Sequence, residues 1–366
     1  MATAQAIEPA VVTLSIRDAT AAEAVSRVCE ASGNRMAVDA AVDGPAQEPP
    51  AKSISIDCDR FTFWEALGDV LDQAGLDLDF PPESGPRIVR PPAGRPDDGP
   101  GCPGRPVAAG PLRVEVARVE PTGGNTGGVR MVLRIAWEPR LEPLLVRLPM
   151  ASVVAEGPAG EAMPPGQRAA VVEATAVGRR GWLDLPLVLP QPDPPLESLG
   201  MLRGTLELWL AGREQAFEFD LEPLDPKLAG EDRVAGERPP SLRMARAEVS
   251  LRQVALQADR LLVTASVVYD EPSEALASHR TWLAARPLEV IDAEGRPVEN
   301  VGQSVEERSD RGLTTTGVFR FSGSGPFPLR GMRVRWTIPM AIHEVPVDFA
   351  IRRVALPAPR RPSPLP

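Results

Sequence analysis

Proline occurs 42 times among 366 residues and is spread along the whole chain. Its ring removes a backbone N–H donor and blocks the interior of a helix, so long helices are excluded over most of this length. Proline is compatible with edge strands, strand ends and rigid connections. Apolar residues make up 43% of the chain, which is enough for folded cores. The sequence therefore predicts a β-rich protein of two or three domains.

Residues 8–92 contain two consecutive patterns of a strand followed by a helix. Apolar and polar residues alternate in VTLSIR at 12–17 and again in SISID at 53–57, as in half-buried strands. Each strand leads into an amphipathic helix that begins with a capping box and ends at a glycine. The capping boxes are Thr20 with Glu23 and Thr62 with Glu65. With the shorter strands between and after them, the predicted order is β-α-β-β-α-β-β, a small α+β domain.

A spaced pattern of apolar, acidic and glycine residues runs through this region. Its positions are Leu14, Asp18, Val25, Gly33, Val38, Asp39, Ile54, Ile56, Glu65, Ala66, Leu67, Leu71, Gly75, Leu76 and Phe80. The pattern resembles the short N-terminal domain of bacterial secretins and TonB-dependent receptors, over about a fifth of the 366 residues. No sequence of a secretin pore or an outer-membrane barrel accompanies it. The resemblance implies docking to an envelope protein, and it does not imply pore formation.

The rest of the chain is predicted to hold two similar β-domains. Residues 93–110 are rich in proline and glycine and form a predicted connector. Residues 111–225 and 241–357 then repeat a series of short strand patterns. Each span has the length of an immunoglobulin-like sandwich, which we expect for both. Residues 226–240 are the predicted linker between them, and 358–366 a disordered tail.

The repeat is clearest in LRGTLELWL at 202–210 and LRGMRVRWT at 329–337. The residues predicted to be equivalent are Arg203 and Arg330, Gly204 and Gly331, and Trp209 and Trp336. When the tryptophans are aligned, the inward faces of the two strands are out of phase by one residue. Either one copy carries a bulge or the two segments match more loosely than the motif indicates. Chance recurrence of the motif is the remaining alternative.

Candidate reactive residues do not form a recognised constellation in this sequence. His279 and His343 have no partner at ligand spacing, and no catalytic, cofactor or metal site is predicted. Cys29 and Cys58 both fall on or beside core-facing stripes of the first domain. They are either two buried thiols or a disulfide that ties a helix to a strand. Cys102, in the connector, is expected to be exposed.

The net charge of −10 disfavours nucleic acid as a partner, and no stretch is long and apolar enough for an integral membrane segment. No signal peptide is seen in the chain, but its opening MATAQAIEP is typical of the residues around a signal cleavage site. The expected location is the periplasm or cell envelope, with the cytoplasm as the alternative.

The leading functional prediction is a non-enzymatic envelope protein. Its first domain would dock to a protein partner, and its tandem sandwiches would serve as spacers and further binding surfaces. The alternative is a module that binds envelope polysaccharide, which would need an aromatic platform. Aromatic residues make up only 4% of the chain, and most tryptophans fall within strand patterns.

Overall fold

The computed structural model confirms a β-rich chain, with twenty strands and two α-helices in its described part. Neither helix has the length and apolar character that a membrane crossing would require. The described residues are 8–40, 42, 53–91, 104–122, 128–176, 180–190, 192, 195–221, 240–244, 246–257, 259–270, 286–309, 311–320 and 329–357.

The N-terminal region contains both helices and five strands. They are β1 (Val11–Ala19), α1 (Ala21–Ser32), β2 (Ala37–Val38), β3 (Ile54–Thr62), α2 (Phe63–Ala74), β4 (Asp77–Asp79) and β5 (Arg87–Val89). Strands β1 and β3 pair antiparallel, while β5 lies between β2 and β4 in a separate three-stranded sheet. Both predicted capping boxes form, and both helices end at a glycine with positive φ, Gly33 and Gly75.

The two helices bury their apolar stripes in one core with β1 and β3. Val28 of α1 and Leu67 of α2 are fully buried there, as are Ile16 and Ile54. The cluster also takes in Ala136, which lies outside the N-terminal region. The predicted inward faces of both helices are therefore confirmed, but their core extends beyond residues 8–92.

Two compact units can be distinguished by their internal contacts. The first holds the described residues up to Leu210 and those from Glu344 onward, and the second is Ala211–His343. Besides the N-terminal elements, the first unit contains β6 (Val107–Ala109), β7 (Leu112–Thr122), β8 (Gly128–Trp137), β9 (Pro143–Pro149), β10 (Val154–Glu156), β11 (Val171–Thr175) and β12 (Trp182–Pro190). One of its sheets has the order β12-β8-β7-β6. Strand β6 lies within the span predicted to be a connector.

The second unit contains β14 (Ser241–Met244), β15 (Ala247–Gln257), β16 (Arg260–Tyr269), β17 (Glu289–Ile291), β18 (Glu299–Ser309) and β19 (Gly312–Arg320). All of these except β17 form a sheet in the order β14-β15-β16-β19-β18. The linker predicted at 226–240 lies outside the described residues except for Pro240, and the predicted tail at 358–366 lies wholly outside them.

Two strands of 23 residues each belong in part to both units. They are β13 (Ser198–Asp220) and β20 (Arg333–Ala355). The first unit holds β13 up to Leu210 and β20 from Glu344, and the second unit holds the remaining half of each strand. The units therefore differ from the predicted spans 111–225 and 241–357, because the last strand of each span is counted with the other unit. No turn interrupts either strand.

The part of β20 from Glu344 onward packs into the core of the first unit. The Thr205 hydroxyl donates to the Asp348 carboxylate at 2.7 Å. Val347, Phe349, Ile351 and Val354 are buried in the same cluster as residues of β7, β8, β9 and β13. The C-terminal strand is thus part of the core of the first unit.

Strand register gives an alignment of the two strands that differs from the match of the LRG motifs. In the first unit an antiparallel β-bridge joins Glu156, the last residue of β10, to Ala162 and closes a hairpin. Strand β10 also pairs with β13, with Glu156 opposite Met201. In the second unit β17 bridges from Ile291 to Pro297 and pairs with β20, with Ile291 opposite Arg333. These two hairpins have the same length, so Met201 is equivalent to Arg333.

In this alignment Arg203 corresponds to Arg335, and Gly204 corresponds to Trp336. The motif match pairs Arg203 with Arg330 instead, so the two alignments differ by five residues. Because five is odd, the new alignment brings the inward faces into phase: Leu202 and Leu206 then match Val334 and Ile338, all buried. The one-residue offset between the inward faces of the two strands therefore arises only when the LRG motifs are aligned.

Candidate functional site

A groove lies on the N-terminal domain between α1 and the segment that leads into β2. Its volume is about 620 Å³. The lining residues are Ala22, Val25, Ser26, Cys29, Glu30, Gly33, Asn34, Arg35, Met36 and Val38. The helical part of this lining repeats at three and four residues, so it forms one stripe along α1. Its members are small or apolar except for Glu30, which lies near the C-terminal end of the helix.

Local chemistry at the end of α1 shapes one end of the groove. Gly33 adopts a φ of 69°, which lets the chain reverse direction, and the Asn34 backbone N–H donates to the Cys29 carbonyl at 3.0 Å. The chain then returns along the helix as β2. Burial raises the pKa of the Cys29 thiol, and a hydrogen bond from the Met36 backbone N–H acts in the opposite direction. The end of the helix and the segment that leads into β2 are therefore tied at this end of the groove.

Strand β2 contributes Val38 to the lining of the groove. Within the described residues it pairs only with β5, with Val38 opposite Ile88. The Asp39 backbone N–H donates to the Ile88 carbonyl at 2.9 Å. Successive residues of a strand in a parallel ladder direct their N–H groups to opposite sides, so the Val38 N–H points away from β5.

A buried carboxylate fixes the N-terminal domain against the neighbouring sheet of the first unit. Glu138, just after β8, has no exposed surface. It accepts hydrogen bonds from the Ala10 backbone N–H at 2.9 Å, from Arg140 Nε at 2.6 Å and from Asn34 Nδ2 at 3.5 Å. Asn34 also lines the groove, so Glu138 helps to hold the groove from outside the N-terminal region. Nothing in the sequence around Glu138 marks it for this role.

An aromatic and arginine stack forms a second contact between these two parts of the first unit. Phe80 meets Trp182 edge-on with ring centroids 5.6 Å apart. The Arg134 guanidinium lies 4.9 Å from the centroid of each ring and pairs with Asp184 at 2.9 Å. Such a stack favours one orientation of the two surfaces.

Of the two alternatives for Cys29 and Cys58, the structure shows two buried thiols, both of them free. The disulfide alternative is therefore not what the structure shows. Both side chains contribute apolar volume to the N-terminal core. Cys102 and His279 lie outside the described residues, and His343 is exposed in β20.

The residues predicted to be equivalent in the repeat have separate roles. Arg203 lies 3.9 Å from Glu156, and a Cβ on Gly204 would meet the Phe349 ring at 3.1 Å. Gly331 instead has a φ of 73° just before β20. Arg330 lies in the turn beside it.

The tryptophans of the described β-strands offer no aromatic platform. Trp137, Trp209 and Trp336 are buried, and Trp182 packs on Phe80. The Arg147 guanidinium covers Trp209 at 5.0 Å from the ring centroid. No cluster of His, Cys, Asp and Glu suited to a metal ion occurs among the described residues.

Comparison with known proteins gives little to set beside this geometry. No family model matches the chain, and no curated protein matches it. A solved structure titled "The crystal structure of the conserved domain protein from Bacillus anthracis" is similar at 8% identity, over 70% of this chain and 96% of that one, with a TM-score of 0.21. We draw no conclusion about fold or function from a likeness at this level.

Proposed function

We propose that this protein is a non-enzymatic binding protein of the cell envelope, and that its N-terminal domain docks an extended segment of a protein partner. The observation that carries the proposal is the groove between α1 and the edge of β2. The domain would be of the secretin and TonB-receptor short N-terminal type. The β-strands of the two units would form immunoglobulin-like sandwiches that serve as spacers and further binding surfaces.

The geometry supports docking by strand addition. A strand placed beside β2 would exchange backbone hydrogen bonds with Val38 and pack alternate side chains on the stripe of α1. The lining supplies apolar contact through Val25, Cys29 and Met36. Small residues at Ala22 and Gly33 allow the incoming backbone to approach the helix closely. Backbone bonds would then provide affinity, and the side-chain stripe would provide selectivity.

A library of linear nine-residue peptides displayed on phage, selected against the full chain, tests the proposal. We expect enrichment of peptides with apolar residues at alternate positions. Val38→Pro removes the N–H that points away from β5, so it should abolish binding of the enriched peptides. Val38→Ala is the matched control, because it keeps that N–H while it also shortens the side chain.

A second measurement locates the bound peptide. Cys29 lines the groove, so bound peptide should slow its modification by a thiol reagent in a background in which Cys58 and Cys102 are both replaced by alanine. Peptides that bind the Val38→Pro variant as well as the parent chain, or that leave the labelling rate of Cys29 unchanged, would refute docking at this edge.

A further inference from the structure

Each half of the chain supplies one strand to the unit that the other half mainly forms. The first half, up to residue 225, forms most of the first unit, and it gives the second unit the part of β13 from Ala211 onward. The second half forms most of the second unit, and it gives the first unit the part of β20 from Glu344 onward. Each unit would therefore lack one strand without the other half of the chain.

The first unit holds its share of β20 by both side-chain and backbone hydrogen bonds. The Asp348 carboxylate accepts from the Thr205 hydroxyl at 2.7 Å. Just after the strand, the Leu356 backbone N–H donates to the Glu197 carbonyl at 2.9 Å. The side chains of the strand that are buried in the core of the first unit are Val347, Phe349, Ile351 and Val354.

Two glycines of the first half leave the space that this strand fills. A Cβ on Gly204 would lie 3.1 Å from the Phe349 ring, and a Cβ on Gly104 would lie 3.2 Å from the Ile351 side chain. Carbon atoms pack best at about 3.5–4.0 Å, so a side chain at either glycine would crowd the strand. The surface that accepts the strand thus has the shape of these particular side chains.

The second unit holds its share of β13 by contacts of the same kinds. The Leu221 backbone N–H, just after the strand, donates to the Met332 carbonyl at 2.9 Å. The Glu218 carboxylate accepts from Arg335 Nε at 2.7 Å. Phe217 is fully buried. This strand is therefore also fixed by its backbone, by an ion pair and by a buried ring.

We infer that the two halves of the chain, residues 1–225 and 226–366, are binding partners that recognise each other by exchanging one strand each. Each half has an open position in a sheet, and each carries the strand that fits the open position of the other half. An added strand gains backbone hydrogen bonds, and its buried side chains add apolar contact. The backbone connection between the halves is not required for their association. This association does not involve the groove of the N-terminal domain.

Cleavage of the folded full chain tests the inference. A recognition sequence for a site-specific protease is inserted after Gly230, in the predicted linker, and the chain is cut under native conditions. The two fragments should remain one complex in size-exclusion chromatography at about 0.1 µM, because two buried strands hold them together. Fragments that separate at that concentration would overturn the inference.

Substitutions in the cut protein test the contribution of each exchanged strand. Phe349→Ala and Phe217→Ala each remove a buried ring from one of them, and each should raise the dissociation constant of the fragments about 100-fold or more. The matched control is Phe63→Ala, because Phe63 is fully buried in the N-terminal core, whose described members include no residue of β13 or β20. It should change the dissociation constant less than about threefold. Equal effects of all three changes would show that the exchanged strands do not hold the fragments together.

A disulfide trap locates the C-terminal strand by a measurement that does not depend on stability. Cys29, Cys58 and Cys102 all belong to the first fragment, so Asp348→Cys places the sole cysteine in the second fragment. Together with Thr205→Cys, which lies beside residue 348, it should join the two fragments covalently on oxidation. Asp348→Cys alone is the control and should leave the fragments separate on a denaturing gel. Joining in the control, or no joining in the double variant, would overturn the exchange of this strand.

Discussion

Phe349→Ala tests whether the C-terminal strand belongs to the core of the first unit. Phe349 is 3% exposed and packs in the cluster that includes β8, β9 and β13. Truncation of a buried phenylalanine costs about 3–5 kcal/mol through lost transfer energy and the cavity left behind. For a unit of this size the melting temperature should fall on the order of 10 °C.

Hydrogen exchange followed by mass spectrometry locates the loss. Amides of β9 and of the first half of β13 should exchange faster, although Phe349 lies about two hundred residues after β9. Phe319→Ala is the matched control, because Phe319 is fully buried in the second unit. Faster exchange confined to Ala211–His343 in the Phe349 variant would refute the assignment of this strand to the first unit.

Gly204 provides an internal check on the same packing. A Cβ at this position would lie 3.1 Å from the Phe349 ring, so Gly204→Ala should cost about 1–3 kcal/mol by overpacking. In the Phe349→Ala background that penalty should disappear, and the two changes should be non-additive. Strict additivity of the two free energies of unfolding would show that the contact is absent.

Three further changes follow from the described contacts. Leu67→Ala should lower the free energy of unfolding, measured by chemical denaturation, by about 2–5 kcal/mol, since Leu67 is fully buried in the N-terminal core. A loss below about 0.5 kcal/mol would mean that this face of α2 does not form the core. Glu138→Ala should cost about 1–3 kcal/mol, because it removes the acceptor for Arg140 Nε and for a backbone N–H, and Glu138→Gln should recover part of that loss. Burial raises the pKa of Tyr269, whose hydroxyl donates to the Pro339 carbonyl at 3.1 Å. The contribution of this protonated hydroxyl to the stability of the folded state is therefore complete below pH about 10 and is lost as the pH rises further. Tyr269 is the single tyrosine, so ultraviolet absorbance should show no ionisation before alkaline unfolding, and Tyr269→Phe should make stability less dependent on pH in that range.

Local signals in the sequence correctly predicted where both helices begin and end. Both capping boxes formed where a threonine precedes a glutamate by three residues, and both helices end at the predicted glycines. The alternation around Ile16 and Ile54 predicted the strands that lead into those helices. These features depend on side chains and backbone groups within a few residues of one another, which is why sequence alone determines them.

The tertiary structure alone decided which strands share a core. The alternation in TLELWL and AFEFD identifies strand residues, but it carries no information about the compact unit that each half of β13 joins. The same holds for the C-terminal strand around Phe349, and for Glu138, whose partners Ala10 and Asn34 lie more than a hundred residues earlier. Apolar alternation specifies a buried face and not a partner, because any apolar surface of matching shape satisfies it. The register between hydrogen-bonded strands selects the partner, and that register exists only once the chain has folded.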